Sequence, residues 1–398
     1  MRSTPTSPPS SAVDLFADDT LIDPYPAYRE LREQGPAVFM TAYDTWVLPR
    51  YEHVRSALGD HRRFSSERAV AHDDSVNDLM EDSVLASDPP QHDRLRAVLA
   101  EKLAPRALAD LRAGIAEQAD RLVASVVERG TFDAVRDLAE VFPVTVVADL
   151  LGLPEDARDT LLPLADAGFN VLGPMNQRAR DALPLNGELF RYVATALASG
   201  NVRPDGWAAA VHRAGERGDI EPAQVVRLLV AYVVAGMDTT INAIGNTVEV
   251  FARNPGLFQE VRAERALVAR AFEECLRLES PAQGFFRVTT EDLDIDGVRL
   301  PARAKVLLSF GSANRDERKW ERADEFDMHR TPLDHVGFGY GVHVCAGLGL
   351  ARLEARAVLG ALVRRVSSVE PAGEPVRRLN NVIRGLSSLP VTVREHSA

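Results

Sequence analysis

The sequence predicts a mainly α-helical protein with small β-sheets (α+β), and three observations carry that expectation. From Asp88 to about residue 213 the pattern is helix after helix, broken at Gly130, Gly152–Leu153–Pro154, Gly173–Pro174 and Pro204–Asp205. Glu221 to about Phe251 is a single helical run longer than globular proteins usually hold. Strand signals are short and scattered: Val38–Phe39, Trp46–Val47–Leu48, Val306–Leu307–Leu308 and the stretch around Arg384–Val391.

Taken in order, residues 1–15 read as a disordered N-terminal tail, rich in Ser, Thr and Pro, and 16–398 as one domain. Asp23–Pro24–Tyr25–Pro26 opens a helix that stops at Gly35–Pro36. Val38–Phe39 and Trp46–Leu48 form two strands of a small sheet, and Tyr51–Leu58 a short helix. Residues 67–87 are polar, acidic and aperiodic, which predicts a mobile surface loop. Asp88–Pro89–Pro90–Gln91 starts a helix with His92 and Arg96 at i and i+4, hence on one face. A later helix carries Glu274 and Arg277, with Cys275 as plain core beside them. Then come Phe285–Phe286–Arg287, a hairpin over Leu293–Val298 and the strand Val306–Leu308. Asn314–Arg315–Asp316 begins a charged segment without periodicity that runs into His335–Gly347.

The bulk numbers exclude several functions. At 398 residues with 45% hydrophobic and 26% charged residues, the chain can bury a large core. A formal charge of -12 argues against nucleic acid as a partner. No apolar run is expected to be long and charge-free enough to span a bilayer, and the N-terminus lacks the apolar core of a signal peptide. Two cysteines make no disulfide framework, which fits a cytoplasmic location.

The chemistry concentrates in one stretch, Gly337–Phe338–Gly339–Tyr340–Gly341–Val342–His343–Val344–Cys345–Ala346–Gly347, after which Leu348, Leu350, Ala351, Leu353 and Ala355 recur at helical spacing. A glycine-punctuated loop thus delivers Cys345 to the start of a helix, where unpaired N–H groups and the dipole favour a thiolate. Phe338 can cover the sulfur, and His343 adds a donor. A haem iron held by cysteine needs that arrangement: a negative sulfur tempered by N–H donors under a flat macrocycle. A lone buried cysteine is usually an inert thiol, but the fixed offsets of glycines, aromatic and histidine separate Cys345 from that case. A second feature lies inside the long helix, at Ala235–Gly236–Met237–Asp238–Thr239–Thr240. The Thr239 hydroxyl can take the Ala235 carbonyl one turn back and open a small polar notch beside an acid.

The cysteine stretch matches the pattern Phe-Gly-x-Gly-x-His-x-Cys-x-Gly, and the sequence resembles the cytochrome P-450 family over about residues 20–395. The resemblance implies that family's fold, with haem b between the long helix and the helix after the cysteine loop. It makes Cys345 the axial iron ligand, with Phe338 and Gly347 part of the loop around it. His92, Arg96, Arg287 and His343 become partners of the haem propionates, and His335 stays structural. Asp238 and Thr239 take the acid and alcohol positions of the oxygen-binding groove, and Arg330 is the residue expected to join Glu274 and Arg277. The implied activity is a monooxygenase that inserts one atom of O2 into a C–H bond. A peroxide-driven or redox-neutral haem-thiolate enzyme is the alternative.

Within the family the sequence is most similar to soluble bacterial enzymes that oxidise para-substituted benzoates, including demethylation of 4-methoxybenzoate. Gly168–Phe169–Asn170, Glu279–Ser280–Pro281, Phe285–Phe286–Arg287, Asn380–Asn381 and Arg384–Gly385–Leu386 carry that similarity. It implies an aromatic pocket formed by Leu85, Phe169, Leu172, Val234, Ala235 and Phe285. The carboxylate donors of those enzymes are replaced here by Val230, Ala231, Val234, Leu79 and Asp82, so the expected substrate is a neutral or phenolic aromatic. Electrons are expected from a small acidic ferredoxin and its reductase, docking on a monomer near Arg94, Lys102, Arg352 or Arg356.

Overall fold

Proline and acidic start signals set the helix boundaries, and the helices set the architecture. In the computed structural model, which describes residues 8–154, 157–330 and 333–396, the chain opens with α1 (Asp18–Ile22), α2 (Tyr25–Gln34), α3 (Tyr51–Gly59) and α4 (Asp74–Leu79). Next come α5 (Gln91–Ala100), α6 (Pro105–Val127), α7 (Val141–Leu151), α8 (Ala157–Asn170), α9 (Gln177–Ala198) and α10 (Trp207–Glu216). The long α11 (Pro222–Arg253) precedes α12 (Pro255–Ala263), α13 (Leu267–Glu279), α14 (Phe310–Ala313) and α15 (Leu348–Arg365). Pro105, Pro222 and Pro255 each occupy a first helical turn, where the missing N–H costs nothing.

α11 is the axis. Its start is fixed by a capping box, the Glu221 side chain on the backbone of Gln224 and the Gln224 side chain on that of Glu221. Helices α7, α8, α9, α10, α13 and α15 all pack on it, and its apolar residues run through the largest core cluster. By length and composition α11 could cross a membrane, contrary to the expectation for every apolar run, but 72% of its most apolar window is buried in the fold. It is a core helix.

The strands are β1 (Ser10–Ser11), β2 (Val38–Met40), β3 (Thr45–Leu48), β4 (Phe64–Ser65), β5 (Thr131–Asp133), β6 (Gly284–Thr289), β7 (Leu293–Ile295) and β8 (Val298–Leu300). They continue with β9 (Lys305–Ser309), β10 (Val366–Pro371), β11 (Val376–Arg378), β12 (Gly385–Ser388) and β13 (Pro390–Glu395). The largest sheet has the order β1-β2-β3-β9-β6-β4. Its centre pairs Val47 with Leu307 in parallel and Leu307 with Phe286 antiparallel. Side chains alternate across a strand, so Phe285 and Arg287 share one face of β6 while Phe286 buries on the other.

Two further expectations differ from the structure. Ser10–Ser11, placed in the disordered tail, pair with Phe39 and Met40 as an edge strand; residues 1–7 lie outside the described residues. Residues 67–87, expected as a mobile loop, contain α4 and bury Val70, Ala71, Val76 and Ala86. Asn77 closes that segment, accepting from Ala71 N at 2.8 Å and donating to Ala71 O at 3.0 Å. A one-turn helix tied by a side-chain amide leaves no periodicity to read.

The segment after α14 has little regular structure and is held by a buried charge instead. Arg277 and Glu274 are both fully buried, with Arg277 Nη2 2.7 Å and Nε 2.9 Å from the carboxylate. Arg277 also donates to the carbonyls of Asn314, Ala323 and Glu325 at 2.7, 2.8 and 3.1 Å. Arg330 Nε reaches Glu274 Oε1 at 3.2 Å, as expected. Arg277→Ala would strand the Glu274 charge and three carbonyls, and is expected to cost about 3–5 kcal/mol. Arg277→Lys should recover little of it, because one ammonium cannot reproduce the planar fork. Urea unfolding of the haem-loaded protein measures both.

Candidate active site

A cavity of about 320 Å³ runs from the cysteine loop along one side of α11. At its floor the loop curls back on itself, with Cys345 N donating to Phe338 O at 2.8 Å. Gly341 has φ +72°, and a Cβ there would come 2.3 Å from the Leu58 carbonyl, so only glycine lets the loop lie against α3. Cys345 and Gly347 line the cavity at the start of α15. Burial raises the Cys345 thiol above its ordinary value, and the N–H groups of Gly347 and Leu348, with Arg96 and Arg352, pull the other way. An iron bound there would complete the shift to thiolate. The Phe338 ring lies under the Arg352 guanidinium at 4.9 Å. Arg352 is itself fixed by Glu273, at 2.6 and 2.8 Å, and His335 joins the same carboxylate at 3.2 Å. Burial alone would raise Glu273; those hydrogen bonds hold it down at about 2. His335 is structural, as expected.

The four residues expected to face the haem propionates all line this cavity. His92 and His343 meet edge to face with ring centroids 4.4 Å apart. Arg96 donates to the Val342 carbonyl at 3.3 Å and Arg287 to the Phe286 carbonyl at 2.6 Å. Burial lowers the Arg287 guanidinium to about 10, with Asp88 opposing, and lowers His343 to about 4. His343 Nε2 has no hydrogen-bond partner, with Asp88 Oδ1 3.6 Å away. The buried Arg287, the half-buried Arg96 and an unused imidazole nitrogen on the wall of a largely apolar cavity fit a macrocycle that brings its own carboxylates.

On the opposite wall Thr239 Oγ1 donates to Ala235 O at 2.8 Å, and Gly236, Thr239, Thr240 and Ala243 line the cavity. Asp238 does not. It is 1% exposed and turned off the cavity wall, accepting from Asn242 Nδ2 at 3.0 Å and Arg378 Nη1 at 3.1 Å. Burial, then the charge of Asp166, raises its carboxyl to about 7. The expected aromatic pocket residues Leu85, Phe169, Leu172, Val234, Ala235 and Phe285 are on the wall, as are Leu79, Val230 and Ala231. Asp82 is not: it sits at φ +62° and accepts from Gln91 Nε2 at 2.6 Å, on the surface. Sequence reasoning missed Arg227, which lines the cavity one turn before Val230 and Ala231, and Glu354, a 1% exposed carboxyl on α15 with both oxygens unpartnered. Burial raises Glu354 well above the carboxylate range. It also missed Arg378; its only trace is the polar spacing Asp238, Asn242, Asn246 on an apolar helix.

Replacing Cys345 by Ala is expected to leave a folded protein without the thiolate-haem absorption, since the backbone bond from residue 345 N to Phe338 O that closes the loop is kept. The ferrous carbon monoxide spectrum checks this, and a normal thiolate band in the variant would exclude Cys345 as ligand.

A family model described as Cytochrome P450 matches residues 208–393. The chain is 41% identical over 391 residues to cytochrome p450 CYP199A2 of Rhodopseudomonas palustris, covering 96% of this chain and 94% of that protein. It is 33% identical over 397 residues to the vitamin D(3) 25-hydroxylase of Pseudonocardia autotrophica, 97% of each chain. Among solved structures it resembles CYP109E1 from Bacillus megaterium in complex with testosterone, with a TM-score of 0.86 and 27% identity over 94% of this chain and 99% of that one. Identity at that level over nearly the whole of both chains is shared descent, and the chain belongs to the cytochrome P450 family of monooxygenases, which bind haem through a cysteine thiolate.

Proposed function

We propose that this monooxygenase acts on a small aromatic substrate, by hydroxylation or by oxidative O-demethylation, with electrons from an acidic ferredoxin. The observation that carries the reading is the cavity wall: Phe169 and Phe285 with Leu85, Leu172, Val234 and Ala235 make flat apolar surfaces next to Thr239. If the attacked carbon is a methoxy methyl, the hydroxylated product falls apart to a phenol and formaldehyde.

Cys345 would hold the iron, and His92, Arg96, Arg287 and His343 the propionates. The haem, when bound, supplies the activation of O2 that these side chains cannot. Thr239, its proton given to Ala235 O, keeps hydroxyl lone pairs for a water at the cavity wall. Asp238 stores a proton near neutral pH and must turn off Arg378 to deliver it. Staged proton delivery of this kind favours the O2-dependent reaction over a peroxide-driven one.

Leu79, Val230, Ala231 and Val234, which stand where the related benzoate enzymes carry their carboxylate donors, line the cavity and offer a carboxylate nothing. A neutral 4-substituted anisole is therefore the expected class. Arg227 favours a second reading, an anionic substrate paired with that guanidinium. Spin-shift titration separates them: 4-methoxybenzoate should bind much more weakly than 4-methylanisole. Tight binding of the benzoate that is lost in Arg227→Leu would establish the second reading.

For the donor, Arg352 is committed to Glu273, which leaves Arg94, Lys102 and Arg356 as the cationic side chains for an acidic partner. We read the protein as a cytoplasmic monomer with that partner diffusing to it. Lys102→Glu with Arg356→Glu should slow reduction by the ferredoxin several-fold at low salt and much less at high salt, where the charges are screened. Thr239→Ala should keep substrate binding and lower product per NAD(P)H by about tenfold, with peroxide released instead. An acid donates only below its pKa, so coupling should fall as pH rises through about 7. Asp238→Asn should remove that dependence.

A further inference from the structure

Three guanidinium groups line the cavity, those of Arg96, Arg227 and Arg287. Arg96 and Arg287 donate to the carbonyls of Val342 and Phe286, and both are among the residues assigned to the haem propionates. Arg227 is different. It is half-buried on the second turn of α11, and among the described residues nothing accepts a hydrogen bond from it or pairs with its charge. The described wall offers it no counter-ion either, since its one carboxyl is Glu354 on α15, which burial drives toward the neutral form. An unanswered cation on a largely apolar wall attracts an anion more strongly than it would in water. Its planar fork fits a carboxylate, with two parallel N–H···O bonds.

The helix fixes how far that fork stands from the oxidised carbon. Arg227, Ala231, Ala235 and Thr239 follow one another on α11 at four-residue steps, and all four line the cavity. Twelve residues of α-helix rise about 18 Å, and side chains leave a helix tilted toward its N-terminus, which takes the guanidinium away from Thr239. A benzene ring with a methoxy group and a para carboxylate is far too short to bridge that gap. Along α11 the stretch between is lined by Val230, Ala231 and Val234, which suit a hydrocarbon chain and give an anion no partner.

We propose that Arg227 is a specificity-determining residue that binds the carboxylate of an elongated substrate, an aryl ether joined to its acid by a flexible apolar chain. The ring lies against Phe169 and Phe285 next to Thr239, the chain runs along Val234, Ala231 and Val230, and the acid closes on the guanidinium. This rests on the aromatic reading of the wall next to Thr239. It gives the anionic alternative a length: about six methylenes or more between ring and carboxylate, to cover a helix rise of about 18 Å. Benzoates are then excluded by reach, and a simple anisole fills only part of the site.

The test is a spin-shift titration of the haem-loaded protein at neutral pH with ω-(4-methoxyphenyl)alkanoic acids, from the acetate to the decanoate. Each acid is measured beside its primary amide, which has the same length and no charge, in the native protein, Arg227→Leu and Arg227→Lys. Short acids should bind more weakly than their amides, and from about the octanoate onward the acid should bind about tenfold more tightly. Arg227→Leu should abolish that preference, and Arg227→Lys should keep part of it, since the charge remains and the fork is lost. Arg227→Gln replaces the leucine variant should that one not load haem. Acids no tighter than amides at every length overturn the proposal, as does a preference that ignores chain length or survives the loss of Arg227. If 4-methylanisole and the amides give no spin shift, the aromatic reading itself fails; if they do and the long acids gain nothing, only the role of Arg227 falls.

Discussion

The fully buried pair of Arg277 and Glu274 is the constraint on which the proximal half of the molecule depends. A charge pair with no access to water is stable only when every donor and acceptor is used. Here the guanidinium finds a carboxylate and three carbonyls, and the carboxylate also takes the Asp327 N–H at 3.1 Å and Arg330. Those partners belong to the segment between α14 and the cysteine loop, which has few backbone hydrogen bonds of its own. Asn314, whose carbonyl is bound there, offers its side-chain oxygen to Val336 N at 2.8 Å, one residue before the glycines begin. The position of Cys345 against α11 is thus relayed from α13 through one arginine.

Electrostatics divide the cavity. Its cysteine end gathers the guanidinium groups of Arg96 and Arg287 with the rings of His92 and His343, which Asp93 and Asp88 approach at 3.0 and 3.6 Å. Along α11 the acid is withdrawn from the wall and its charge answered from outside, by the C-terminal ribbon. Much of the remaining wall is hydrocarbon, from Leu85, Phe169, Leu172, Val234, Ala235 and Phe285. A dianionic macrocycle and an apolar ring can therefore share one cavity without competing for the same groups.

The long helix joins the two halves by using its faces differently. Thr239 turns to the cavity and spends its hydroxyl proton on Ala235; Asp238, one residue earlier and about 100° around the helix, turns to the ribbon. Adjacent residues of one motif thus serve in two environments. Gly385 makes this possible, since any side chain there would push the ribbon off Asn242 and withdraw Arg378 from Asp238.

Much of this was legible in the sequence where the signal is local. The glycine offsets around Cys345, the i, i+4 pairing of His92 with Arg96, and the threonine one turn after Ala235 are fixed by helix and loop geometry, and the structure places them on one cavity. Phe285 and Arg287, expected at the cavity from the family resemblance, share the face of β6 that meets it, and Phe286 between them is buried on the other. What the sequence could not determine involves partners far along the chain. Ser10–Ser11 are a strand only because β2 offers an edge, and residues 67–87 are ordered because Asn77 and buried Val70, Ala71 and Val76 meet the rest of the fold. Asp82 turns to Gln91 and not to the cavity, while Arg227 reaches the wall. The grip of Arg378 on Asp238 spans 140 residues, and no period of 3.6 or 2 records a contact made by folding alone.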